Sequence, residues 1–97
     1  MRRFHATMTG LPDTAKVRRA TYISNAVEAT RLLSKGKVAT TANDHGAITL
    51  WRDRYGRYRC EAHRNLSTID SQSFTNLSSV RYWTRRWIKA IRTGNLD

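Results

Sequence analysis

Four residues of this sequence, Trp51, Arg57, Arg59 and His63, have the types and spacing that best support a chemical role. If the surrounding stretch forms two paired strands, all four project from the same side. Guanidinium groups contact phosphates and guanine edges, while an indole ring packs against a sugar or a thymine methyl group. The pattern predicts a nucleic-acid interface on an exposed sheet face; the alternative is an ordinary solvated face with cross-strand ion pairs.

The strands that position these residues are predicted from one turn. A three-residue loop of Arg54, Tyr55 and Gly56, with Gly56 left-handed, places Arg52 opposite Tyr58. The resulting apolar side consists of Ile48, Leu50, Tyr58, Cys60 and Ala62. The other side consists of Thr49, Trp51, Asp53, Arg57, Arg59, Glu61 and His63. Arg54, at the tip, belongs to the predicted binding surface.

Charge points to the class of partner. The chain has 97 residues, with 18 Lys and Arg against 7 Asp and Glu and a formal charge of +11. Such a field favours polyanions, either nucleic acid or an acidic protein surface; the alternative is that basicity only keeps a small protein soluble. We predict a basic N-terminal arm at 1–19 and a single domain at 20–97. The arm contributes Arg2, Arg3, Arg18 and Arg19 to the predicted binding surface.

Two amphipathic stretches flank the strands. Helical spacing predicts a first helix from Thr21 to Lys35, capped by Thr21 or Ser24 and stopped by Gly36. A second helix is predicted from Asn76 or Ser78 to about residue 92, with Gly94 ending it. Its apolar stripe is Val80, Trp83, Trp87, Ile88 and Ile91, and its reverse face is Arg81, Arg85, Arg86, Lys89 and Arg92. We read that reverse face as a solvated surface that adds to the long-range field.

Two further strands complete the predicted sheet. The stretch 38–43 is expected to pair with the next strand through another three-residue loop, with Gly46 left-handed and Ala42 opposite Ile48. A polar strand near 68–74 needs a bulge, because Ile69 and Phe74 have opposite parity. The predicted fold is α+β: an antiparallel three- to four-stranded meander covered by two helices, in the order α-β-β-β-(β)-α.

Catalysis and membrane insertion have little support in the sequence. The spacing of the three histidines and Cys60 matches no zinc site, and the acidic residues are scattered singly. We therefore expect no enzyme activity and no cofactor. A lone cysteine favours a reducing compartment, and we find neither a secretory signal nor an apolar run of about 18 residues. The predicted location is the cytoplasm, without membrane association.

The stretch GRYRCEAHRNLSTIDSQSFTNLSSVRYWTRRW resembles the three-stranded sheet plus helix of the small DNA-binding domain found at the N-termini of tyrosine integrases and in ethylene-response factors. The features that carry the resemblance are Gly56, Tyr58, Arg59, Glu61, Phe74 and a helix bearing tryptophan. In those domains the outer sheet face lies in the major groove, a role that the resemblance assigns to Trp51, Arg57, Arg59 and His63. The added arm and first helix depart from that pattern.

Two functions follow as expectations. The first is a non-enzymatic double-stranded DNA-binding accessory protein of phage or mobile-element type. The alternative is a phage-encoded inhibitor that docks on an acidic surface of a host nuclease or of a CRISPR or other defence complex, in the cytoplasm of the host cell. The size and layout of the chain are similar to those of many small phage proteins of either kind.

Overall fold

The computed structural model describes residues 19–96. Its elements are β1 (Thr21–Tyr22), α1 (Ala26–Ser34), β2 (Ala39–Ala42), β3 (Ala47–Arg52), β4 (Tyr58–Arg64), β5 (Ser67–Phe74) and α2 (Leu77–Thr93). The strands form one sheet in the order β1-β2-β3-β4-β5, in which β1 is parallel to β2 and the other pairs are antiparallel. The predicted α+β class is confirmed. The predicted meander corresponds to β2–β5, whereas the parallel strand β1 was not predicted.

Only one of the four arginines predicted for the N-terminal arm lies within the described residues. Arg2, Arg3 and Arg18 lie outside the described residues. Arg19 is described, and its side chain is exposed in a turn just before β1.

The first helix starts later than predicted. Its N-cap is Asn25, whose side-chain oxygen accepts the backbone N–H of Glu28 at 2.9 Å. The Glu28 carboxylate in turn accepts the backbone N–H of Ser24 at 2.8 Å, a reciprocal arrangement that fixes the helix start. The assignment of Thr21 to this helix was wrong, because its N–H donates to the Val38 carbonyl at 2.9 Å within the sheet. Gly36, with φ of 74°, follows the helix end as predicted.

The β3–β4 hairpin has the predicted register. Arg52 pairs with Tyr58, Leu50 with Cys60 and Ile48 with Ala62. Gly56 has φ of 84°, and the N–H of Asp53 donates to the carbonyl of Arg57 at 2.9 Å. This register places the predicted apolar side of the hairpin in the core.

The β2–β3 turn differs from the prediction by one residue. Ala42 pairs with Ala47 rather than with Ile48, which leaves a four-residue loop. The cause is Asn43, whose side-chain oxygen accepts the backbone N–H groups of His45 and Gly46 at 2.8 and 3.2 Å. The left-handed conformation predicted for Gly46 was therefore wrong, since this turn does not use it.

The helices α1 and α2 pack on one face of the sheet and enclose the core. From α2, Val80, Trp83, Ile88 and Ile91 are buried and Trp87 is half-buried, as predicted. Asn76 caps this helix, and Gly94 ends it with φ of 76°. The predicted bulge is present where the β4–β5 register shifts between Ala62 and His63. Cys60 lies in the core as a free thiol.

Candidate nucleic-acid interface

The sheet face opposite the helices is more buried than the sequence pattern predicts. Trp51 exposes only 2% of its surface and His63 only 3%. The expectation that Trp51 is an exposed aromatic was therefore wrong, and so was the expectation for His63. Thr49 and Glu61, which alternate with them on this face, are also buried. Neither Trp51 nor His63 presents a surface to a ligand in this conformation.

Arg59 is a half-buried member of the same face. Its guanidinium carbon lies 5.8 Å from the centroid of the Trp51 ring, within cation–π range. Its Nη1 atom is 3.9 Å from a carboxylate oxygen of Asp53. Arg59 thus connects the buried indole to the hairpin loop, and part of its side chain stays accessible.

His63 and Glu61 form a buried polar pair. The Nε2 atom of His63 is 3.3 Å from the Glu61 carboxylate, and its Nδ1 atom is 3.3 Å from the Thr68 hydroxyl. The Ser71 hydroxyl donates to the second Glu61 oxygen at 3.4 Å. Burial lowers the pKa of His63, which favours the neutral imidazole near pH 7. The ring therefore supplies no positive charge for a phosphate.

The tip of the β3–β4 hairpin carries the exposed part of the predicted site. Arg54 and Arg57 are exposed, as is the neighbouring Arg52, and Tyr55 between them exposes 79% of its surface. The tip projects beyond its neighbours, because β5 ends opposite Tyr58 at Phe74. We call residues 52–57 the hairpin tip.

Asp53 holds the hairpin tip in shape. Its Oδ1 atom accepts the backbone N–H groups of Tyr55 at 2.9 Å and of Arg57 at 3.0 Å. The N–H of Gly56 donates to the Asp53 carbonyl at 3.1 Å. The side chains of Arg54 and Arg57 therefore leave from a fixed backbone, which reduces the ordering cost of binding.

Comparisons with protein-family models, with curated proteins and with solved structures found no match to this chain. The arrangement of charges is therefore the main guide to function.

Positive charge also covers the helical layer. The exposed cations of α2 are Arg81, Arg85, Arg86, Lys89 and Arg92, and this helix contains no acidic residue. Two of them also tie the helices together: Arg81 donates to the Thr30 hydroxyl at 3.3 Å, and Arg92 to the Ser24 carbonyl at 2.6 Å. The predicted solvated face is exposed, but two of its arginines also form hydrogen bonds with other parts of the chain.

Four of the five acidic residues within residues 19–96, in contrast, serve internal roles. Glu28 binds the backbone at the start of α1, and Asp53 shapes the hairpin tip. Glu61 is buried beside His63, and Asp70 accepts two indole N–H groups from α2. These carboxylates satisfy internal donors, so the surface of the described chain is dominated by arginine and lysine.

Two negative findings apply to residues 19–96. No cluster of three or more His, Cys, Asp or Glu side chains in this range could hold a metal ion. Within the same range, neither helix is long and apolar enough to cross a membrane.

Two exposed aromatic residues were not among the predicted binding residues. Tyr55 was assigned only to the hairpin loop, and Tyr82 lies off the predicted apolar stripe of the second helix. Their signal was available in principle, because each is an aromatic residue next to arginine and off the apolar pattern of its element. The structure shows that they are exposed, Tyr55 by 79% and Tyr82 by 69%.

Proposed function

We propose that this protein is a non-enzymatic double-stranded DNA-binding accessory protein that contacts the duplex through the hairpin tip. The observation that carries the proposal is a set of three exposed arginines at the hairpin tip: Arg52 at the end of β3, and Arg54 and Arg57 on the loop that Asp53 fixes. The major groove of B-DNA admits a two-stranded β-ribbon, and arginine binds guanine edges and phosphates there. The cations of α2 and Arg19 add the field that attracts the duplex.

This proposal moves the contact surface away from the sheet face. The resemblance to integrase and ethylene-response domains implied contacts from Trp51 and His63, which are buried here. Of the residues that it implied, Arg57 belongs to the hairpin tip, and the accessible part of Arg59 borders the tip. The resemblance stays a prediction, and the proposal relies on the exposed arginines.

Fluorescence anisotropy of a labelled duplex at several salt concentrations tests the proposal. We expect log affinity to fall linearly with log salt, with a slope of about 0.9 per neutralised phosphate. Arg54→Ala with Arg57→Ala should reduce that slope by about 1 to 2. The matched control is Lys35→Ala with Lys37→Ala, which removes the same charge from an exposed loop after α1.

The control decides the outcome. If the lysine pair reduces affinity and slope as much as the arginine pair, only the overall field matters and the hairpin tip is not the contact. Binding of the unaltered chain no tighter than about 10⁻⁴ to 10⁻⁶ M at physiological salt would also count against the proposal, because non-specific binding reaches that level.

A second candidate is a phage-encoded inhibitor that binds an acidic surface of a host nuclease or defence complex. The specific observation in its favour is Tyr55, which is 79% exposed between arginines. Tyrosine and arginine are enriched among the residues that dominate protein–protein binding. A pull-down from nuclease-treated lysate, with Tyr55→Ser as the comparison bait, tests it: a stoichiometric partner lost with the variant supports inhibition.

For either function we propose the cytoplasm as the site of action. The single cysteine of the chain, Cys60, is buried and free, which suits a reducing compartment.

A further inference from the structure

A groove of about 440 Å³ lies between β5 and α2. Its volume falls within the range of small-molecule sites, about 300 to 1,000 Å³. The residues that matter for its chemistry are Asp70, Gln72, Phe74, Tyr82, Trp83 and Arg86. They combine aromatic rings with an amide, a carboxylate and a guanidinium group.

Aromatic side chains form the walls of this groove. Trp83 is buried and Phe74 is half-buried, so both belong to the fold. Tyr82 differs from them, since it exposes 69% of its surface and is not part of the core cluster. An exposed aromatic ring beside a groove is a surface on which a nucleobase stacks.

Asp70 lies in the polar part of the groove, and both of its carboxylate oxygens already accept hydrogen bonds. Its Oδ2 atom accepts the indole N–H groups of Trp83 at 2.9 Å and of Trp87 at 3.1 Å. Its Oδ1 atom accepts the amide Nε2 of Gln72 at 2.9 Å. The pKa of Asp70 is lowered, so this carboxylate is ionised near pH 7 and acts as an acceptor.

The orientation of Gln72 follows from this contact. A carboxylate only accepts, so the Gln72 atom that faces it is the N–H₂ donor. The other atom of the amide, the Oε1 acceptor, is then the group that Gln72 offers to a ligand. A ligand that fits must present an N–H donor beside a flat ring, as nucleobases do on their Watson–Crick edges.

Arg86 supplies the matching positive charge. It lies one turn after Tyr82 on the same side of α2 and is exposed at the groove. Arg85, its neighbour in sequence, lines a different groove between α1 and α2. A phosphate attached to a stacked base could therefore pair with Arg86 while avoiding the carboxylate of Asp70.

We propose that this groove binds an unpaired nucleotide of a single strand, with the base stacked on Tyr82, an N–H of the base donating to Gln72 and the phosphate held by Arg86. In a base-paired duplex the Watson–Crick edge is occupied, so the ligand differs from that of the hairpin tip. The inference rests on the proposed function in one respect: both ligands are nucleic acids drawn by the same positive field.

The test uses the full chain and two labelled probes, a 12-nucleotide strand of thymidylates and an abasic strand with the same number of phosphates. We expect the thymidylate strand to bind at least about fivefold more tightly than the abasic one, the lower end of the range for stacking of one base. Tyr82→Ser should remove that advantage and leave binding of the abasic strand unchanged. Arg86→Gln should weaken binding of both strands more than Arg85→Gln does.

Tyr22→Ser is the matched control, because it removes a tyrosine of β1 that is 60% exposed and lies outside both the groove and the hairpin tip. Equal effects of Tyr82→Ser and Tyr22→Ser on the thymidylate strand would overturn the inference, as would equal binding of the two probes. Labelled duplex is measured in parallel. If the chain binds duplex but does not prefer the thymidylate strand, this inference fails and the proposed function stands. If it prefers the thymidylate strand but does not bind duplex, only the proposed duplex contact fails.

Discussion

Replacement of Asp70 tests whether a single carboxylate holds β5 and α2 together. The Asp70 side chain accepts hydrogen bonds from the indoles of Trp83 and Trp87, at 2.9 and 3.1 Å. Hydrogen bonds to charged groups contribute about 1.5 to 3 kcal/mol each, and water can replace part of the bond to the half-buried Trp87. We therefore expect Asp70→Ala to lower the free energy of unfolding by about 2 to 4 kcal/mol.

Asp70→Asn separates the charge from the shape of this side chain. The amide oxygen of asparagine can take the place of Oδ2 and accept from both indoles, but its N–H₂ group donates and cannot replace Oδ1, which accepts from Gln72. We expect a loss of about 1 to 2 kcal/mol, roughly half of that for alanine. The assay is urea unfolding followed by far-UV circular dichroism, which does not depend on the altered environment of the tryptophans.

Asp70→Asn should also change how the stability of the fold responds to acid. Partial burial alone would raise the pKa of Asp70, but hydrogen bonds from three side chains and from the Ser71 N–H outweigh burial and lower it. A carboxyl whose pKa is lowered by folding contributes stability that is complete above its unfolded pKa of about 3.9. That contribution is lost as the pH falls through the lower pKa of the folded state. The unfolding free energy of Asp70→Asn should therefore fall less steeply in acid than that of the unaltered chain.

Asp44→Ala provides the control, because Asp44 is exposed in the β2–β3 loop. A surface substitution of this kind changes stability by no more than about 0.5 kcal/mol. If the unfolding free energies of Asp70→Ala and Asp44→Ala differ by no more than that margin, the hydrogen bonds to the two indoles do not stabilise the fold, and the reasoning fails.

Three further predictions concern the sheet. Trp51→Ala removes a side chain that is 2% exposed and should lower the unfolding free energy by about 3 to 5 kcal/mol in urea titrations; a stable variant would mean that Trp51 is not packed as described. Gly46→Ala places a Cβ atom 2.7 Å from the His63 carbonyl oxygen and should cost about 1 to 3 kcal/mol by the same assay. His63 has a pKa lowered by burial, so stability should fall as the pH drops below about 6.5; His63→Gln should flatten that dependence in urea midpoints measured from pH 5 to 8.

The parts of the fold that local chemistry determines were predictable from the sequence. In the β3–β4 hairpin, strict alternation and Gly56 favour the register that places Ile48, Leu50, Tyr58, Cys60 and Ala62 on one side, and the structure has that register. The bulge in β5 followed from the parity of Ile69 and Phe74, both of which pack against the core. In both cases neighbouring residues supply the constraint, so no distant contact has to be known.

The remaining parts depend on contacts that the sequence pattern does not contain. The two residues of β1 are held by backbone hydrogen bonds such as that from Ile23 to the Thr40 carbonyl, and two residues are too few for alternation to be recognised. The predicted turn before β3 was wrong because the Asn43 side chain accepts the backbone N–H groups of His45 and Gly46. Alternation assigned Trp51 to the correct side of the sheet but cannot reveal whether that side is covered.

The position of Cys60 has a practical consequence for labelling. Its side chain is completely buried, and desolvation raises the pKa of its thiol to about 12, with the charge of Asp70 adding to the effect. The reactive thiolate is therefore almost absent at neutral pH, and maleimides should spare the folded chain. Because this is the only cysteine, a second one introduced at an exposed position would accept a single fluorophore. The native cysteine therefore does not interfere with site-specific labelling of the folded chain.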